Sequence, residues 1–252
     1  MSPGPEGIRP GIRGQRDGAA RAALALLSFL FFSALLARLM LLPAMDAGRM
    51  FDLFSAHART AGAGVGAAEY PAISDALSGY LAGRQESPEP ALPGETSGGV
   101  FSQNEIVHLS DVRELMGLSA KLAYGFAALL AGASSLFLRA RMLRREAFAL
   151  DLAGAALLGL YAAVAASLLL AVWSALDFER AFTLLHRVAF RNELWLLDPR
   201  QDLLIMLMPL PFFQAYALGA LRDAGIVLLT AFAALTALRF FTGKGVALRR
   251  RT

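Results

Sequence analysis

The sequence predicts an all-α membrane protein: a bundle of four transmembrane helices carrying a small extracytoplasmic cap of short helices, with room for short strands. Three observations lead there. Of 252 residues, 56% are hydrophobic and only 17% charged, whereas soluble domains run near a quarter charged. The apolar residues come in blocks long enough for the roughly 20 residues that cross a hydrocarbon core as helix. The basic residues cluster at alternate ends of those blocks.

Residues 1–21 are a basic tail with Arg9, Arg13, Arg16 and Arg21, and the first span covers 22–42, ended by Pro43. Its apolar stretch exceeds the roughly 7–15 residues of a signal-peptide core, and no A-x-A-like site follows, so it is read as a span. Residues 43–117 form the first part of the cap, and 118–138 the second span. A cytoplasmic loop, 139–147, carries Arg139, Arg141, Arg144 and Arg145. The third span is 148–176, and the second cap segment is 177–211. An interfacial extension and the fourth span occupy 212–241, before a tail, 242–252, with Lys244, Arg249, Arg250 and Arg251.

Lys and Arg near span ends mark the cytoplasmic side, which puts both termini in the cytoplasm and the cap outside. The first cap segment has ten acidic residues against four arginines, and the second has five acidic against four basic. The basic excess of the chain, 24 Lys and Arg against 20 acidic residues, is therefore an orientation signal. No nucleic-acid partner is implied. Arg38 and Lys121 are expected to snorkel to the headgroups. Asp151 reads as a helix N-terminal charge, and Arg222 and Asp223 mark the outer start of the fourth span.

Within the cap, Pro71–Gly83 predicts a short amphipathic helix, with Ser74 as N-cap and Gly83 as C-cap. Residues 85–99 are rich in Pro, Gly, Glu and Ser and read as a flexible loop. Ser102 followed by Glu105 fits a capping box, so a helix should start near Gln103. His108 and Asp111 then share a face. Either Asp111 accepts the imidazole Nδ1–H and leaves Nε2 free as a base, or the two are a wet surface pair. In the second segment, Phe182, His186 and Phe190 recur every four residues, with Arg187 and Arg191 alongside. This is either an imidazole in a functional pocket or one packed in an aromatic cap. NELWLLDP, residues 192–199, has the look of a short strand ending at an Asp-Pro turn. Trp195 and Phe212–Phe213 suit an interfacial aromatic belt.

The remaining histidine, His57, has no partner at helical spacing and reads as a surface residue. The chain lacks cysteine, so disulfides and thiolate chemistry are excluded. It also lacks H-E-x-x-H, a G-x-S-x-G elbow and a phosphate-cradling glycine loop. A zinc site would need a third ligand beyond His108 and His186, and nothing singles out Asp111 or Asp198 for it. No metal or cofactor is expected.

FSQNEIVHLSDVREL followed by a span, then LLHRVAFRNELWLLDPRQDLLIMLMPLPFF, resembles the four-span bacterial family that includes the lipoprotein intramolecular transacylase. The matching positions are His108 with Asp111–Val112, then His186, Phe190, Trp195, Asp198–Pro199, Asp202, Leu204–Ile205, Pro209 and Phe212–Phe213. Leu185 and Ala189 stand where the family favours Phe, so a slightly less aromatic pocket is expected. The resemblance implies a multi-pass protein of the bacterial cell membrane, acting on its extracytoplasmic face. It implies transfer of the sn-2 acyl chain of a lipoprotein's diacylglyceryl-cysteine to the same cysteine's α-amino group, with His108 and His186 catalytic. The same blocks nominate Phe101, Asp111, Phe190, Arg191, Asn192, Trp195, Asp198 and Asp202 as supporting or substrate-binding residues. Arg191, Asn192 and Trp195 would position substrate or oxyanion, and Asp111 favours His108 as the base. The implied partners are a diacylated lipoprotein N-terminus as substrate and membrane lipid, with no obligate protein partner.

Two imidazoles suit this reaction, because an amine must lose a proton and a glyceryl alkoxide must gain one. Nucleophile and ester already share one molecule, so positioning supplies much of the rate. Two other readings compete: a non-catalytic, partner-binding membrane protein of the same family, and a His/Asp metal-dependent membrane hydrolase. A transporter fits four spans without broken, charged helices poorly.

Overall fold

The computed structural model describes residues 10–92, 99–142 and 148–249. These residues are all helical, apart from turns and connections. The order is α1 (Pro10–Leu41), a 3₁₀ turn (Leu42–Met45), α2 (Ala47–His57), α3 (Tyr70–Leu81), α4 (Gln103–Met142), α5 (Phe148–Leu176), α6 (Phe178–Ala189), α7 (Leu203–Leu207) and α8 (Leu210–Arg249). Four helical stretches are long and apolar enough to cross a membrane: Gly18–Met45, Gln103–Arg139, Leu152–Leu176 and Leu210–Phe241. The segment proposed as an extension of the fourth span is continuous with it in α8. Arg9, Arg144, Arg145, Arg250, Arg251 and loop residues 93–98 lie outside the described residues, as do the side chains of Arg13, Arg16, Arg141, Asp151, Lys244 and Arg249.

The chain divides into two compact units. One comprises the described residues of 1–33, 123–166 and 229–252. Here α1 and α5 approach closely enough that a Cβ on Gly159 would meet Ser28 Cβ at 2.5 Å and the Ala25 carbonyl oxygen at 2.7 Å. Small residues let helix backbones touch where lipid offers no hydrophobic drive for association. Ser28 satisfies its buried hydroxyl by donating to the Leu24 carbonyl, 2.8 Å away.

The other unit comprises 34–122 and 167–228 and holds the core of the cap. Its centre is α3, where Tyr70, Ile73, Leu77, Tyr80 and Leu81 pack with Met50 and Phe54 of α2, Phe101, Leu109 of α4, Leu203, Leu204 and Leu207 of α7, and Phe212. The expected short amphipathic helix is a core helix, buried nearly all round. It begins earlier than the Ser74 cap implies: Glu69 holds the N-cap position with Pro71 in the first turn, where proline needs no amide partner. Ser74 lies mid-helix and buried. Gly83 ends the helix as expected, one residue past the cap, with φ of +73°.

The loop after α3 is closed by Glu89, whose carboxylate accepts the amides of Val100 (2.8 Å) and Phe101 (3.3 Å). The Arg38 guanidinium donates to the Met116 carbonyl at 3.2 Å. Asp223 pairs with both Arg49 and Arg222.

The strand expected over NELWLLDP is absent, and no strand occurs among the described residues. With no neighbouring strand to pair with, the segment satisfies itself locally. Asn192 Oδ1 accepts the Leu194 amide at 3.0 Å, and the Glu193 carbonyl accepts that of Leu196 at 3.0 Å. An Asn side chain offering its own backbone a turn competes with extended pairing.

Candidate active site

Helix α4 starts where the capping box places it. Ser102 Oγ accepts the Glu105 amide at 3.4 Å, and Glu105 Oε2 accepts the Ser102 amide at 2.6 Å. Glu105 is only 1% exposed, and its second oxygen accepts the Leu204 amide. One carboxylate therefore ties the start of α4 to the start of α7. Ser102 Oγ adds a donation to Asp202 Oδ1 at 3.1 Å, and Asp202 Oδ2 accepts the Asp198 amide at 2.7 Å. Asp198 and Asp202 thus shape the turn that leads into α7.

One turn along α4 from Glu105, His108 is 8% exposed. Its ring centroid lies 6.0 Å from that of His186 and 5.1 Å from Phe190 in an edge-on arrangement. The two histidines, 78 positions apart in sequence, form one site. Phe182 at 4.0 Å, Trp195 at 5.1 Å and Phe190 at 5.5 Å surround the His186 ring. Phe213 backs Phe182 at 4.9 Å. The four-residue periodicity of Phe182, His186 and Phe190 becomes an aromatic cage with one imidazole inside and a second at its edge.

The tautomer of His186 follows from one contact. Its Nδ1 lies 2.8 Å from the Phe182 carbonyl oxygen. A carbonyl only accepts, so Nδ1 carries the hydrogen and the lone pair resides on Nε2. Burial holds the pKa of His186 below its ordinary value, and the hydrogen bond to Phe182 opposes that shift.

Asp111 does not play the part expected of it. His108 Nδ1 is buried with no hydrogen-bond partner among the described residues. Asp111 Oδ2 instead accepts from Asn192 Nδ2 at 2.8 Å. Asn192 is therefore engaged through both ends of its amide, which makes it a strap between α4 and the segment after α6, with its second Nδ2–H not used by either bond. Replacing Asp111 and Asn192 by alanine, singly and together, is expected to give a coupling of about 1 kcal/mol in thermal unfolding. Additive losses would show that the strap carries no stability.

Arg191 is exposed. Phe101 belongs to the core of the cap and is 5% exposed. His57 ends α2, half-buried. Among the described residues, no three His, Cys, Asp or Glu side chains gather where they would hold a metal ion. Glu105 and the Phe182 carbonyl were not among the sequence candidates. The capping box pointed to Glu105 as a local helix device, and nothing in the sequence marks a carbonyl.

A family model, lipoprotein intramolecular transacylase Lit, matches residues 63–213, more than half of the chain. A search of curated proteins found no significant match. Among solved structures, the chain resembles the membrane integral lipoprotein intramolecular transacylase Lit from Bacillus cereus at 20% identity. The TM-score is 0.56, over 90% of this chain and 99% of that one. Variants of the Bacillus cereus protein with one histidine changed to alanine or to arginine give TM-scores of 0.58 and 0.57, again at 20% identity. The alanine variant matches over 95% of this chain and 98% of its own, and the arginine variant over 91% and 96%. At that identity the structural likeness speaks for the fold.

Proposed function

The chain belongs to the lipoprotein intramolecular transacylase family, and from that premise we propose that it moves the sn-2 acyl chain of a lipoprotein's diacylglyceryl-cysteine to the cysteine's α-amino group. The product is an N-acyl, S-monoacylglyceryl (lyso-form) lipoprotein. The observation that carries this reading is the His186 tautomer, with Nδ1–H spent on the Phe182 carbonyl and Nε2 left as an unprotonated base beside a second imidazole.

In the first step the α-amine attacks the ester carbonyl, and His186 Nε2 removes the amine proton as the C–N bond forms. In the second the C–O bond to the glyceryl sn-2 oxygen breaks, and that oxygen gains a proton from the imidazole pair. His108 presents an N–H to the leaving oxygen, and the proton taken by His186 passes back through the pair, which ends with its charge unchanged. The base role therefore moves to His186 from His108, which lacks the orienting carboxylate that the sequence offered it. Phe182, Phe190 and Trp195 hold the rings and exclude water, which strengthens each hydrogen bond made to the developing charge. The site is assigned to the extracytoplasmic face by the positive-inside rule, and the chemistry asks nothing of a metal or cofactor.

The test expresses the chain in a bacterium that makes only diacylglyceryl lipoproteins and analyses a lipoprotein N-terminal peptide by mass spectrometry. Transfer gives a peptide with an N-acyl group and one remaining O-acyl chain. A free amine with both O-acyl chains in place overturns the reading.

The pH profile gives a further check. Two groups must be neutral for the first step, the substrate α-amine, ordinarily about 7.7–8.0, and His186, whose pKa is lowered. The rate should therefore fall with the amine first and gain a second limb, about tenfold per unit, below about pH 6.5, the ordinary histidine value. Rates of N-acylation in detergent across about pH 4 to 9 will show it. A profile with the amine limb alone would remove His186 as the titrating base.

A further inference from the structure

Three arginines that the transacylation chemistry does not use meet at the cap-side ends of two spans. Arg38 stands in the last turn of α1, and its guanidinium reaches the Met116 carbonyl of α4 at 3.2 Å and the Met45 sulfur at 3.7 Å. Arg84, in the connection after α3, donates to the Met45 carbonyl at 3.4 Å. Arg113 of α4 holds its guanidinium carbon 4.7 Å from the centre of the Tyr80 ring. One of its nitrogens would lie 3.9 Å from a Cβ on Gly83, the neighbour of Arg84. Met45, the Gly83–Arg84 segment and the 113–116 turn of α4 thus draw three guanidiniums into one patch. Arg38 and Arg113 are half-buried, and Arg84 is exposed.

What the patch lacks is an anion. The partners of these arginines are two carbonyls, a thioether and a ring, none of which cancels a full charge. Among the described residues the ion pairs belong to other arginines, with Arg49 and Arg222 on Asp223 and Arg180 on Asp177 among them. Asp46, beside Met45 in the chain, spends an oxygen on the Arg49 amide at 2.9 Å as the cap of α2. Glu114, beside Arg113, is exposed and pairs with none of the three. Like charges gathered without a counter-charge repel, and most of the N–H donors on Arg84 and Arg113 are unspent. The arginines of α6 carry no such excess, because Arg180 and Arg187 border their surface depression together with Asp177 and Glu179.

The position of the patch along the chain names the anion. Arg38 and Met45 bracket Pro43, where the first apolar run ends, and Met116 lies just ahead of the run that starts at Leu118. Phospholipid phosphates lie at this level, and basic residues there attract anionic headgroups. Guanidinium forks also match the oxygens of a phosphate, two donors to two acceptors. We propose that Arg38, Arg84 and Arg113 bind the phosphate of an anionic phospholipid headgroup, which clamps the end of α1, the connection after α3 and α4 around one lipid. The proposal stands apart from the transacylation reading, because lipid binding is measured without turnover.

The full chain in mild detergent is titrated with dioctanoyl-phosphatidylglycerol, and bound lipid is counted by native mass spectrometry. Dioctanoyl-phosphatidylcholine, whose choline neutralises the phosphate, and inorganic phosphate are the comparison ligands. Phosphatidylglycerol should bind saturably and more tightly than either. Arg84→Gln removes an exposed side chain and should weaken that binding about fivefold, the effect of one basic residue at an anionic surface. The triple variant Arg38→Gln, Arg84→Gln, Arg113→Gln should weaken it about a hundredfold. Arg38→Lys keeps the charge and should bind better than Arg38→Gln, which separates lost attraction from lost packing. Arg200→Gln, which removes an exposed arginine elsewhere in the cap, should bind as the natural chain does. Unchanged binding in Arg84→Gln and the triple variant would overturn the proposal, as would an equal loss in Arg200→Gln. Phosphatidylcholine bound as tightly as phosphatidylglycerol would overturn the requirement for an anionic headgroup. Inorganic phosphate bound as tightly would assign the patch to a free anion and overturn the lipid.

Discussion

Replacing His186 by alanine is expected to lower N-acylation of a lipoprotein peptide by about 10²- to 10⁴-fold, the range that a positioned general base supplies, with the fold retained. The fold should persist because α6 has no buried residue and the ring is only half-buried. His186→Gln separates base chemistry from packing: it restores much of the side-chain volume but cannot cycle a proton, and it should be as inactive as the alanine variant. His108→Ala should lose activity to a similar degree but also some stability, since its ring is 8% exposed. The readout is the N-acylated fraction by mass spectrometry, with protein level and thermal unfolding measured alongside. A His186→Ala protein within tenfold of the natural chain would remove the imidazole from the reaction.

The second large effect is on stability. Glu105→Ala strands the amides of Ser102 and Leu204, both of which its carboxylate accepts. A buried donor left unsatisfied costs about 1–3 kcal/mol, so the cap should lose about 2–4 kcal/mol, the smaller share from the more open Ser102. For a domain of this size that corresponds to a fall in Tm of about 5–15 °C. Glu105→Gln keeps one acceptor oxygen but aims an NH₂ at the other amide, so an intermediate loss is expected. Thermal unfolding in detergent, with limited proteolysis of the cap as a second measure, would reveal it. If Glu105→Gln were as stable as the natural chain, only one of the two bonds would matter.

Local signals were readable in the sequence, and distant ones were not. The capping box needs only Ser102 and Glu105, three residues apart, and it starts α4 as written. The second oxygen of the same Glu105 serves an amide 99 residues away, a pairing no local pattern encodes. Asp111 shows the same limit. Its spacing from His108 pointed to an orienting carboxylate, but its tie is to Asn192, 81 residues on. The NELWLLDP segment reads as extended because a short apolar run, Leu194–Leu197, is bounded by polar residues and an Asp-Pro turn, yet a strand needs a partner and none occurs among the described residues. Ser74 looked like a cap because it is polar near a helix start, while Pro71 was the better marker of the first turn. The meeting of His108 and His186 was legible only through resemblance to a family whose motif blocks hold both.

The bond between Glu105 and Leu204 also sets an order on the making of the protein. Two membrane-crossing helices, α4 and α5, separate its halves in the chain. At a synthesis rate of about 5–20 residues per second, Glu105 waits about 5–20 s for its partner amide, and α3 waits as long for the apolar side chains of α7. During that interval the first half of the cap stands open at the membrane, with its hydrophobic centre uncovered. Newly inserted chains should therefore be most vulnerable to membrane proteases and most dependent on chaperones until α7 arrives. The cap closes only after the third membrane crossing is complete.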